Sequence, residues 1–102
     1  MKYNINMDKI RMTVRFKNGG WYGFSVSRSI HDWLKRESGE GNLNMFVKHI
    51  ISWFLYEKQT YLPYLINGNG VEADMIIDMK NRKMSAAKYL EMVVNEYFSK
   101  GG

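Results

Sequence analysis

Nine residues near the amino terminus, Lys9-Ile10-Arg11-Met12-Thr13-Val14-Arg15-Phe16-Lys17, alternate a polar side chain with a large apolar one without a break. Only extended backbone gives that period a physical meaning, because successive side chains of a strand leave opposite faces. Asn18-Gly19-Gly20 follows, a run that tolerates positive φ and marks a tight turn. The alternation then resumes from Trp21 to Ser27, with Tyr22, Phe24 and Val26 on one side and Trp21, Gly23, Ser25 and Ser27 on the other. The segment therefore predicts a β-hairpin with one apolar face and one basic, hydroxyl-bearing face.

Farther along, the apolar spacing changes to that of helices. Ser29 with Asp32 predicts a capped helix over about 29–38, carrying Ile30, Trp33 and Leu34 on one side, with Gly39 and Gly41 ending it. A second helix is predicted over about 42–58. Leu43, Phe46, Val47, Ile50, Ile51 and Phe54 form its main face, and Met45, His49, Trp53 and Tyr56 form a second stripe beside it. A helix this apolar belongs at the centre of a core or at an interface, so a homodimer is expected, with that second stripe as the contact. Tyr61 to Ile66 reads as a strand, Asn67-Gly68-Asn69-Gly70 as a second turn, and Val71 to Met79 as the returning strand. Ser85 is placed to cap a last helix over 85–99.

These elements predict a single α+β domain spanning 1–102. It contains two antiparallel hairpins with helices packed on one face, in the order β-β-α-α-β-β-α, as one motif over about 9–58 and another over about 60–100. A shift of 43 residues sets Phe46, Val47, Ile50 and Ile51 on Tyr89, Leu90, Val93 and Val94. An internal duplication would produce that match, as would two unrelated amphipathic helices in phase. The expected core is Val14, Phe16, Phe24, Val26, Ile50, Phe54, Leu90 and Val93.

Charge is uneven along the 102 residues. Positions 1–58 hold ten Lys/Arg against five Asp/Glu, and the remainder holds five against five. Between Lys9 and Arg28 there are five cations and no acid. Such clustering suggests an anionic partner, nucleic acid or an acidic protein surface. The candidate contact residues are Lys9, Arg11, Arg15, Lys17, Trp21, Ser25, Ser27 and Arg28. Four phosphate contacts would give a salt slope of about −3.6.

Chemistry is harder to assemble. Cysteine is absent and His31 and His49 are the only histidines, so neither a zinc site nor a nucleophile with its base is recognisable. Asp74 and Asp78 would share one face of a strand, where they could hold a hard cation, or simply form its polar side. The expectation is a non-enzymatic binding protein with no cofactor, metal or small-molecule substrate. No segment has the length of a membrane span or the pattern of a secretion signal, so a cytoplasmic location is expected.

Residues 24–57, from Phe24-Ser25-Val26-Ser27 through Gly41-Asn42-Leu43-Asn44-Met45-Phe46-Val47, resemble a ribbon-helix-helix DNA-binding segment. The resemblance implies a strand entering the major groove from a two-fold dimer, read through Gly23, Ser25 and Ser27. A second reading needs no nucleic acid. Abundant aromatic residues and methionines, short length and no enzyme motif also suit a viral or mobile-element inhibitor of host machinery, in the style of anti-CRISPR proteins.

Overall fold

The period-two segment forms a two-stranded antiparallel sheet, β1 (Lys9–Arg15) and β2 (Trp21–Ser27). In this computed structural model residues 8–39, 42–58 and 70–101 are described. The register pairs Lys9 with Ser27, Arg11 with Ser25, Thr13 with Gly23 and Arg15 with Trp21 on the outer face. Met12, Val14, Phe24 and Val26 are buried on the inner face. At the turn, Phe16 N donates to Gly20 O (3.1 Å) and Gly19 N to Phe16 O (2.9 Å). The polar backbone groups of Phe16 therefore face β2, and by alternation so do those of Val14, Met12 and Ile10. Those of Lys9, Arg11, Thr13 and Arg15 turn to the outer edge.

Helix α1 (Arg28–Ser38) follows directly, capped by Ser27 Oγ, which accepts from Ile30 N at 3.3 Å. The cap thus lies two residues before the expected Ser29. Helix α2 (Leu43–Ser52) starts at Asn42, whose side chain accepts from Asn44 N and Met45 N. It runs into a π-helical segment, Trp53–Lys58. Each π turn takes in one more residue than an α turn, which rotates everything after it about the axis.

Helix α3 (Val71–Arg82) overturns the expected second hairpin. Val71–Met79 is helical, so among the described residues there is one hairpin and the order is β-β-α-α-α-α. Glu72, Ala73, Met75 and Met79 favour a helix, while the pair Ile76-Ile77 had suggested a strand. Gly70, with φ 102°, serves as the N-cap rather than as a turn residue. The strand expected over Tyr61–Ile66 and the turn at Asn67, Gly68 and Asn69 lie outside the described residues. The duplication loses its support with the hairpin, because helix α4 (Ala86–Gly101) is preceded by α3 where a repeat would require the returning strand of a second hairpin. Ser85 caps α4 as expected, its Oγ accepting from Lys88 N at 3.3 Å.

Helices α1, α2 and α4 pack on the hairpin, α4 chiefly on β2, while α3 packs on α2 and the π segment. Of the expected core, Val14, Phe24, Val26, Ile50, Phe54, Leu90 and Val93 are buried, and Phe16 is partly buried at the margin. No helix among the described residues is long and apolar enough to cross a membrane.

Candidate functional site

The outer hairpin face is assembled by alternation alone. Arg11, Thr13 and Arg15 are exposed on β1, and Trp21 on β2 is 71% exposed, the most open large apolar side chain described. Arg15 sits over the Trp21 ring at 5.4 Å from its centroid, so the pair stands as one stacked cationic unit. The Arg11 guanidinium leans across the strand pair and covers Gly23, where a Cβ would collide with it. Ser25 lies half-buried beside this arrangement.

The remaining candidates divide. Lys17 is exposed at the turn. Lys9 Nζ is bound to Glu91 at 2.6 Å and Arg28 Nε to Asp8 at 2.9 Å, both pairs at the surface. Exposed pairs of this kind are screened by solvent, contribute little and exchange readily for another anion. Asp8 raises the guanidinium pKa of Arg28 by its hydrogen bond and its charge. Ser27 is occupied as the cap of α1. No carboxylate pairs with Arg11, Arg15 or Lys17 among the described residues.

Two side chains that the sequence reading passed over hold this surface in place. Asn44, in the first turn of α2, accepts from Arg15 N (2.7 Å) and donates to Arg15 O (3.0 Å), as a neighbouring strand would. Glu72 of α3 accepts from Gly20 N at 2.8 Å and from the Tyr22 hydroxyl, locking the turn. Burial and Glu72 together raise the Tyr22 phenol to about 12. A Cβ on Gly19 would strike the Glu72 carboxylate, so the turn sequence makes this approach possible. Sequence separations of 29 and 52 residues left no local signal for either contact.

The second stripe runs from α2 into the π segment: Met45, His49 and Tyr56 are exposed and Trp53 is half-buried, with the His49 and Trp53 rings edge-on to Tyr97 of α4. His31 is half-buried, its Nδ1 lying 3.3 Å from Asp32 Oδ1. Asp74 and Asp78 are one helical turn apart on α3 and are buried, not displayed on a strand. Asp74 accepts the Tyr56 hydroxyl at 2.5 Å. Asp78 accepts the Tyr89 hydroxyl at 2.7 Å and Arg82 Nε at 3.0 Å. They are fasteners between α3, the π segment and α4. No group of three His, Asp or Glu side chains among the described residues is placed to hold a metal.

The strand, helix and helix of the ribbon-helix-helix resemblance are present in that order, but β2 pairs with β1 of its own chain. Family models, curated proteins and solved structures were all compared with the chain, and none matches it.

Proposed function

We propose that this is a non-enzymatic nucleic-acid-binding protein that docks the sugar–phosphate backbone on the outer face of the β1–β2 hairpin. One observation carries the reading: Arg11, Arg15 and Trp21 share a single exposed face, and among the described residues no carboxylate pairs with either guanidinium. Guanidinium groups match phosphate oxygens in bidentate geometry, and the Arg15–Trp21 unit supplies a flat surface on which a base can stack. Lys9, Lys17 and Arg28 border the face and extend its positive field. Binding of this type follows the backbone rather than base edges, so weak sequence preference and strong salt dependence are expected. A cytoplasmic site of action belongs to the same reading.

The test is a titration of duplex DNA, single-stranded DNA and RNA at several salt concentrations. Replacing Arg11 and Arg15 together by Gln should leave the far-UV spectrum unchanged, because both side chains are outside the core. The same change should flatten the salt slope by about 1.8, roughly 0.9 for each lost phosphate contact. A folded double variant with an unaltered slope would refute the proposal.

A further inference from the structure

We propose that the outer edge of β1 is a docking site for an extended acidic segment of a partner protein, which adds to the sheet as a third strand. This goes beyond the nucleic-acid reading, which uses the face of the hairpin and not its edge. The backbone N–H and C=O groups of Arg11 and Thr13 point away from β2 and meet no protein partner among the described residues. Asn44 satisfies the same edge one register step later, at Arg15, and so marks where an added strand must stop. Arg11, Met12 and Thr13 also form one wall of a groove of about 160 Å3, whose other side is built from His31, Leu43 and Val47.

The chemistry of the occupant follows from that setting. An edge presents acceptors as well as donors. A phosphodiester, which only accepts, can satisfy half of them, whereas another backbone satisfies both. A strand laid along the edge sends alternate side chains into the groove and out beside the hairpin's outer face. The inward residue lies against Leu43 and Val47 with His31 and Asn44 beside it, so a short side chain such as Val suits the groove. The outward residues stand next to Arg11 and Arg15, where Asp or Glu is favoured and Lys or Arg repelled. The same rule disfavours a second copy of this chain, since β1 against β1 would oppose cation to cation. Cations along an exposed edge are a recognised guard against such self-pairing.

A short capped peptide alternating Glu and Val is the probe, titrated into the wild-type protein while amide exchange is followed by NMR. Exchange at Arg11 and Thr13 should slow about tenfold on saturation, and substituting Lys for Glu in the peptide should weaken binding by at least about tenfold. N-methylating alternate peptide amides removes the ladder donors but keeps the charge, and should weaken binding comparably. Thr13→Pro should do the same from the protein side, because the N–H it removes lies on the outer edge and not in the β1–β2 ladder. Should that variant fail to fold, the N-methylated peptide applies the same test to the intact chain. No binding at ~1 mM peptide, equal affinity for the N-methylated form, or unchanged exchange at both amides would each overturn the proposal. So would a single-stranded oligonucleotide that slows exchange at those amides as strongly as the peptide does. The salt-slope experiment on Arg11 and Arg15 reads the face alone, so the two readings fail separately.

Discussion

Lys83 holds a left-handed backbone conformation, φ 59° and ψ 45°, just past the end of α3. Its N–H donates to Lys80 O, and Met84 N donates to Met79 O at 3.0 Å, which closes the helix with the paired bonds usually built around glycine. A side chain at that φ carries a steric cost that glycine does not. Lys83→Gly should therefore stabilise the protein by about 0.5–1 kcal/mol, measured as a shift in the urea midpoint at constant slope. A loss of stability would show that the Lys83 side chain contributes more than its conformation costs. Legibility is uneven at this scale. Trp21, Arg11 and Arg15 could be assigned to an exposed face from alternation alone, since a strand allows only two directions. The roles of Glu72 and Asn44 could not be, because each depends on a backbone group brought near only by the fold.

The hairpin and α3 show at the level of elements what a sequence pattern can and cannot carry. Both strands of the hairpin announce themselves, since one face must be apolar and the other is free to be charged. Helix α3 conceals its buried side, because two of the residues on it are Asp74 and Asp78. Their burial is made tolerable by Tyr56 and Tyr89 hydroxyls from other elements, which no local window contains. The polar-looking stripe and the adjacent Ile76-Ile77 then favour the wrong period. The π segment carries no sequence signal that separates it from plain helix, and of its residues Phe54 alone is expected in the core, where Leu55 is buried as well. Phe54 in that segment is 3% exposed and stands edge-on to Tyr89 at 5.9 Å. Phe54→Ala should cost about 3–5 kcal/mol in chemical denaturation, and a change within about half a kcal/mol would remove this face from the core.

Among the described residues, tyrosine–carboxylate contacts join separate elements across the whole molecule: Tyr22 to Glu72, Tyr56 to Asp74, and Tyr89 to Asp78. In the first two, burial, the hydrogen bond and the neighbouring charge push the Tyr22 and Tyr56 phenols from 10.0 up to about 12. A folded-state pKa above the unfolded one gives stability that is complete below pH 10 and is lost as pH climbs toward about 12. Alkaline titration followed at the phenolate absorbance should show Tyr22 and Tyr56 ionising late, with stability falling across that same window. Replacing both Tyr22 and Tyr56 by Phe should flatten the decline, and an equally steep loss in the double variant would place its cause elsewhere. The position of α4 has a different consequence, one that concerns birth rather than titration. The hairpin leaves the ribosome well before the helix that chiefly covers β2, since Trp21–Ser27 and Ala86–Gly101 are separated by α1, α2, the π segment and α3. At ordinary elongation rates the greasy side of the nascent hairpin waits about 4–15 s for its lid, an interval in which a chaperone or a second nascent chain can reach Phe24 and Val26 first.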